Sequence, residues 1–331
     1  MKWWKTILDG FKLLLKTYLP TLLIFASLAI MFSLISTFAM MEFNWSVTLE
    51  NEQVKQYVYL YGEDLSLWPL SAQEFYSSFR KHATWNNVIN LFINYIPLTL
   101  SGVLSSYYMI ERAKGTSLTI FDSIKHVLRG ERIRITLLIT LILSILVAAG
   151  FAFFFIFGII MLIMVGLCVP TLVDSTLDTR DVLNEGFKLG KEYRIRTTIL
   201  VIIGVAFFSF FGDFLARIFF PSIPNSIRIG WLDPATRNWG TLIYVNLMNF
   251  LTTAAFQPIL FAFITAHYME LTVQKEVAWF DAIPLTKKRA LEIEDKDIFP
   301  NGAVFALFLV ISLVISIIGI IDLINARIAG G

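Results

Sequence analysis

Charged residues are scarce in this chain. Asp, Glu, Lys and Arg make up 16% of its 331 residues, whereas an ordinary globular domain contains about 25%. Hydrophobic residues reach 56% and include 30 Phe. The formal net charge of +2 is small for a protein that neutralises the phosphates of nucleic acid. The composition indicates a protein whose main solvent is lipid, and it argues against nucleic acid as a partner.

Cysteine and clustered histidine are missing as well. Cys168 is the one cysteine, so neither a disulfide within the chain nor a thiolate metal or haem site can be built. His82, His126 and His267 have no second His, Cys or carboxylate at the spacing of a His-Glu-x-x-His or His-x-Glu motif. No Gly-x-Ser-x-Gly nucleophile motif occurs, and no two carboxylates share one apolar run. The sequence therefore predicts a protein that is not an enzyme and carries no cofactor or metal.

Long apolar runs dominate what is present. A bilayer core about 30 Å thick needs roughly 20 apolar residues in a helix. Five runs meet this length directly, and 135–173 has 39 residues without a charge, which suits two helices with a turn between Gly150 and Gly158. We predict one all-α, polytopic transmembrane bundle over residues 1–331, with about seven spans. These are 18–41, 88–110, 135–153, 155–173, 197–219, 241–266 and 302–323.

The distribution of Lys and Arg sets the predicted orientation, because cytoplasmic loops carry an excess of these residues. With the N-terminus and the loops 111–134, 174–196 and 267–301 inside, 20 of the 27 basic residues lie in the cytoplasm. The N-terminus is therefore predicted to be inside and the C-terminus outside, in the cell membrane. Both flanks of 135–173 are basic, which favours two crossings there, since an even number keeps both flanks inside.

The acidic segment 42–87 is the largest piece outside the predicted spans. Ser71 and Glu74 form the pattern of a capping box, in which each side chain binds the backbone N–H of the other. Leu70, just before this box, can pack against Phe75. We expect an extracytoplasmic loop with one short helix, which covers the outer mouth of the bundle.

A pattern of acidic, small, apolar and Lys residues precedes three outward-going spans. The copies are 9–12, 122–125 and 185–188. They are expected to form short amphipathic helices in the inner interface, where a Lys can meet anionic lipid. The residues concerned are Lys12, Lys125 and Lys188. Either these helices only orient the spans, or they recognise lipid or a cytoplasmic partner.

The inward-going spans that come after these segments share a second feature. The second, fourth and sixth predicted spans each contain one proline: Pro97, Pro170 and Pro258. These features predict an internal repeat of interfacial helix, outward span and inward span. Five polar residues in the second and sixth spans are predicted to face into the bundle, because they are too numerous for a lipid-facing surface. They are Asn90, Asn94, Asn246, Asn249 and Gln257.

One acidic residue lies inside a predicted span. Asp213 is about 9 Å from the outer end of 197–219, and Arg217 follows one helical turn later. A lone carboxylate at mid-depth costs about 2.5–3.5 kcal/mol, which a partner at i+4 partly offsets. We interpret the two as a structural ion pair at the outer interface. The alternative is that Asp213 binds a proton or a cation during transport.

Three segments give the chain a likeness to a known family. They are 7–12 before the first span, 169–173 at the end of the fourth, and 182–189 ahead of the fifth. Over roughly residues 1–275 the chain resembles the multi-span membrane domain that accompanies some glycerophosphodiester phosphodiesterases, and its stand-alone relatives. The resemblance implies a helical membrane domain without assigned catalytic residues. The catalytic domain of the fused proteins has no counterpart here, because no segment outside the predicted spans exceeds 46 residues.

Two functions remain open from the sequence. The first is a non-enzymatic membrane protein that handles lipid or assists an envelope process, with membrane lipids and other envelope proteins as partners. It rests on the interfacial segments and on the missing catalytic motifs. The second is a secondary transporter or channel subunit, which rests on the repeat, the prolines and Asp213. A polar cavity that reaches Asp213 favours the second function.

Overall fold

The computed structural model describes residues 3–153, 155–175, 177–219, 233, 237–274, 303–307, 310 and 314. Within these residues the chain is helical with short turns and has no strand, so the predicted all-α class is confirmed. The helices are α1 (Trp3–Tyr61), α2 (Leu70–Ala113), α3 (Ile120–Val127), α4 (Glu131–Phe153), α5 (Phe155–Gly166), α6 (Cys168–Asp174), α7 (Thr179–Glu192), α8 (Arg194–Phe219), α9 (Trp239–Ala254) and α10 (Gln257–Gln274). Residues 303–307 are also helical.

Five segments of the described chain are long and apolar enough to cross a membrane. They are Trp4–Tyr61, Leu70–Ala113, Arg132–Gly150, Phe157–Asp174 and Trp239–Thr272. The predicted span 197–219 lies within α8, whose side chains beyond Phe211 are outside the described residues. Most of the predicted span 302–323 lies outside them too. The chain is therefore a helical protein with several candidate membrane spans.

The apolar run 135–173 forms more than one helix. The chain reverses between α4 and α5, and a Cβ atom at Gly150 would lie 2.9 Å from the Cα atom of Gly158. Glycine permits this approach because it has no side chain to hold the two backbones apart. The two helices consequently pack closely along their facing surfaces.

The segment 42–87 differs most from the prediction. α1 continues to Tyr61 and α2 starts at Leu70, so the segment is a hairpin of two long helices and not a loop with one short helix. Pro69 precedes α2 and no side chain caps this helix, so the predicted capping box of Ser71 and Glu74 does not form. We call residues 42–87 the outer hairpin.

An aromatic cluster holds the outer hairpin together. Trp68 is buried in the turn beside Val54 of α1 and Ala72 of α2, and its indole Nε1 donates a hydrogen bond to the carbonyl oxygen of Gly62 over 2.9 Å. Four aromatic rings surround this centre: Tyr57, Phe75, Tyr76 and Phe79. Two helices that would be marginal alone in water stabilise each other by burying these side chains.

The three copies of the acidic–small–apolar–Lys pattern have one arrangement in common. The second and third lie in the separate short helices α3 and α7, whereas the first is a continuous part of α1, which corrects the expectation of a separate N-terminal interfacial helix. The small residue of each copy is buried: Gly10, Ser123 and Gly186. The lysine of each copy is exposed: Lys12, Lys125 and Lys188.

The helices that contain the second, fourth and sixth predicted spans form the centre of the bundle. All side chains of 258–272 in α10 and all of α6 are buried, and α2, α6 and α10 contact one another. α1, α2, α4, α5, α8 and α10 also contact one another successively in this order, and α10 contacts α1. The described spans therefore close into a ring.

Small residues bring α2 against α10. A Cβ atom at Gly102 would lie 2.0 Å from the Phe261 ring, and the Thr265 hydroxyl donates a hydrogen bond to Ser106 Oγ over 3.0 Å. Small residues allow helix backbones to approach closely where no hydrophobic effect drives association. This contact fixes the two helices that flank the cavity described next.

Candidate functional site

A cavity of about 260 Å³ lies between α1, α2 and the junction of α9 with α10. The junction separates two helices because Pro258, the second residue of α10, lacks the N–H that a continuous helix needs. The Tyr18 hydroxyl donates a hydrogen bond to the carbonyl oxygen of Ala255 over 2.6 Å. It thereby satisfies one of the carbonyl groups at the end of α9. The helix break thus opens space without leaving this buried acceptor unpaired.

The described lining of this cavity combines uncharged polar side chains with apolar ones. Its polar side chains are Asn94, Ser101, Asn249, Gln257 and Tyr95. The remaining lining residues are apolar: Phe25, Ala29, Pro97, Leu98 and Phe250. Asn94 and Asn249 are exposed, whereas Ser101 is buried. The cavity therefore has an open rim of amides and a closed floor.

Of the five polar residues that were predicted to face into the bundle, some line the cavity and others do not. Three of them line the cavity, as given above. The amide of Asn246 instead donates a hydrogen bond to Thr37 Oγ1 over 2.8 Å and holds α9 against α1. Asn90 is half-buried and donates to Asn86 Oδ1 over 3.2 Å. Asn246 and Asn90 therefore hydrogen-bond to other side chains and do not line the cavity.

The described residues that line the cavity come from α1, α2, α9 and α10. The side chains of Asp213 and Arg217 lie outside the described residues, so their pairing stays a prediction.

A charged cluster ties α2, α4 and α6 together at the other end of the bundle. Lys114 Nζ lies 2.7 Å from Glu111 Oε1 and 3.1 Å from Asp174 Oδ1. The Asp174 side chain is 1% exposed. A buried carboxylate of this kind is stable only when it is paired and hydrogen-bonded. The cluster therefore serves to fix the helix ends.

Arg132 extends this cluster to α3. Its guanidinium donates hydrogen bonds of 2.5 Å to the carbonyl oxygen of Ser175 and to Nε2 of His126, and the His126 ring stacks on Tyr107 with 4.5 Å between centroids. Partial burial and the neighbouring guanidinium lower the pKa of His126 below its usual value. The imidazole is thereby held neutral and can accept this hydrogen bond.

A second cluster joins α1, α8 and α10. The Thr6 hydroxyl donates a hydrogen bond to Glu270 Oε2, and Arg196 Nη1 lies 3.7 Å from the same oxygen. His267, one turn before Glu270, is fully buried, and neither ring nitrogen has a hydrogen-bond partner within the described part of the chain. The rings of His267 and Tyr193 meet edge to face with 6.3 Å between centroids. The sequence did not single out Glu270 or Thr6, which are 264 positions apart.

Neither metal-ligating groups among the described residues nor similarity to known proteins indicates what the chain does. Among the described residues no three or more His, Cys, Asp or Glu side chains are grouped so that they could hold a metal ion. A comparison of the chain with family models, curated proteins and solved structures found no match in any of the three.

Proposed function

We propose that this chain is a non-enzymatic, multi-pass membrane protein that binds membrane lipid in the cavity between α1, α2 and α9–α10. The observation that carries the proposal is a cavity whose described polar lining residues are uncharged, on helices that are candidate membrane spans. Counted along the predicted spans, Asn94 lies about 9 Å and Asn249 about 12 Å below the outer ends of their helices. Polar side chains at such a depth are stable beside other polar groups, because hydrocarbon supplies no hydrogen bonds. The polar part of a lipid that enters the cavity would contact Asn94 and Gln257 of its lining.

The opening of the cavity supports lipid as its ligand. The rim residues Asn94 and Asn249 are exposed. A ligand that enters through this rim comes from the surroundings of the helices, and for a membrane protein these are lipid.

We further propose seven spans with the N-terminus in the cytoplasm, in the cell membrane. The count of basic residues supports this orientation. The shared arrangement of the three pattern copies, with a buried small residue and an exposed lysine, supports the internal repeat. The exposed Lys12, Lys125 and Lys188 are proposed to contact anionic lipid at the inner surface. Membership of the phosphodiesterase-associated membrane domains, in its stand-alone form, also stays a proposal.

Topology reporters fused at turns between helices test the orientation. Fusions that end after Lys114 and after Asp178 should both report the cytoplasm, because an even number of crossings separates them. A fusion after Glu63, in the turn of the outer hairpin, should report the opposite side. A cytoplasmic signal at Glu63 contradicts the orientation, and opposite signals at Lys114 and Asp178 contradict the pair of crossings formed by α4 and α5–α6.

Lipid that remains bound during purification tests the proposed site. Replacing Asn249 or Gln257 with Leu removes one amide from the cavity, and a hydrogen bond of this kind contributes about 1 kcal/mol. We expect roughly fivefold less retained lipid per protein for each variant, measured by mass spectrometry after mild detergent purification. Asn87→Leu is the matched control, because Asn87 is exposed in the outer hairpin. Equal lipid content in all four proteins refutes the site.

A further inference from the structure

We propose that the outer hairpin binds a short acidic segment of a partner protein along one face of α2. An open groove of about 670 Å³ lies on this face. Its described lining consists of Leu65 in the turn of the hairpin and of seven residues of α2 between Gln73 and Trp85. We call this surface the α2 groove. It is separate from the lipid cavity, and only the crossing of a membrane by α2 is taken from the proposed function.

The α2 groove follows one continuous face of the helix. Its residues recur at 73, 76, 77, 80, 81, 84 and 85, so their side chains lie above one another along about 18 Å of helix. Ser77 and Thr84 in this face are exposed. An extended peptide of about six residues has the same length. The groove is therefore long enough for a short segment of another protein.

Positive charge in the groove is the argument for an acidic ligand. Arg80 and Lys81 belong to its lining, and both side chains are exposed. The third Lys or Arg of the outer hairpin is Lys55 on α1, which forms an ion pair with Glu52 over 2.5 Å. Arg80 and Lys81 thus place two adjacent cations where carboxylates of a partner can reach them, and hydrogen bonds between such ionised groups are among the strong ones.

Two aromatic side chains flank this pair of cations. Tyr76 lies one helical turn before Arg80, and Trp85 lies one turn after Lys81 with 63% of its surface exposed. The Tyr76 ring is held edge to face by Trp68, with 5.7 Å between centroids. Trp, Tyr and Arg contribute most to binding at protein interfaces, and a ring that is already held loses little freedom on binding. We therefore expect an apolar side chain beside the carboxylates of the ligand.

Two other occupants fit the α2 groove less well. Counted from Val88, where the predicted span begins, Lys81 lies about 10 Å and Tyr76 about 18 Å beyond the hydrocarbon, whereas the headgroup layer is only about 5–8 Å thick on each side. Lipid headgroups would therefore leave most of the groove empty. A second copy in the same membrane, related by a two-fold axis along the membrane normal, would bring Arg80 and Lys81 of both copies together at one height, where they repel.

A randomised peptide library tests the docking surface. It is selected on the full-length protein in phosphatidylcholine nanodiscs, with empty nanodiscs as background. We expect enrichment of peptides that carry Asp or Glu beside an aromatic or aliphatic residue. In fluorescence anisotropy, an enriched peptide should bind about tenfold more tightly than its Gln counterpart, the effect of two ion pairs at an exposed site.

Reversal of the groove charges gives a result that loss of folding cannot imitate. The double variant Arg80→Glu, Lys81→Glu should enrich basic peptides in place of acidic ones. The matched control is Lys55→Glu, which adds negative charge to the same hairpin outside the groove and should keep the preference for acidic peptides. Trp85→Ser should weaken the binding of an enriched peptide by about fivefold, because the apolar contact is lost.

Three results overturn the inference. The first is enrichment of no peptide above empty nanodiscs, or of acidic peptides that the charge-reversed protein enriches equally. The second is retention of phosphatidylglycerol that depends on Arg80 and Lys81 while peptide binding does not, which assigns the groove to lipid. The third is a dimer, seen by mass photometry, that the charge reversal dissociates. None of these results depends on Asn249 or Gln257, so failure of the α2 groove and failure of the lipid cavity are distinguishable.

Discussion

Replacing Gly186 with Val should destabilise the protein by about 3 kcal/mol, the upper range for overpacking a buried contact. A Cβ atom at this position would lie 2.6 Å from the Cα and 2.3 Å from the Sγ of Cys168. A thiol can rotate away, but the backbone of α6 cannot, so α7 must move off α6. Thermal unfolding in detergent, followed by circular dichroism, measures the loss.

The control for this variant is Asn184→Val. Asn184 lies on α7 and is exposed, so this change carries the same cost of a β-branched residue in a helix without the collision. Cys168→Ala in the Gly186→Val background should restore little, because the Cα atom remains. Equal stability of the two valine variants would show that α7 does not cross α6 at Gly186.

Replacing Lys114 with Met should cost about 3 kcal/mol, as expected when a buried charge loses its partner. The Asp174 side chain is 1% exposed and would keep a carboxylate next to an apolar chain. Asp174→Asn in the same protein should recover most of the loss, because it removes that charge. The free energy of unfolding of the single and double variants gives the coupling between the two residues.

The control here is Lys125→Met, since Lys125 is a basic residue on α3 that is exposed. It should change stability by less than about 0.5 kcal/mol. Losses at Lys114 and Asp174 that simply add would show that the two side chains do not stabilise each other.

Helix type and the approximate positions of the candidate spans followed from the sequence, because a run of 20 apolar residues has few other solutions. The two helices of the outer hairpin did not follow from the sequence. Its acidic and polar residues suggested a loop, yet Val54 and Tyr57 on one side and Ala72, Phe75 and Phe79 on the other follow helical spacing. This periodicity was the available signal. The helical spacing produces a hairpin of two helices because each helix buries the apolar stripe of the other.

The sequence predicted several polar residues of the candidate site, but it did not predict that they come together in one cavity. The sequence predicted that Asn94, Asn249 and Gln257 face into the bundle; all three line the cavity, but Asn94 and Asn249 are exposed. It could not show that they meet, because the cavity depends on where Pro258 breaks the chain between α9 and α10 and on how α1 crosses both. The Thr6–Glu270 hydrogen bond likewise joins the two ends of the ring, a distance along the chain that no local pattern spans.

Because α1 is long, a small change of angle within the helix would move its far end by a large distance. The helix has 59 residues and contains Pro20, and proline removes one backbone hydrogen bond and permits a bend at that point. From Pro20 to Tyr61 the helix is about 62 Å long. A change of ten degrees at the bend displaces the far end by about 11 Å. A rotation of α1 at Pro20, beside the Tyr18–Ala255 hydrogen bond, would therefore displace the tip of the outer hairpin more than any other part of the helix.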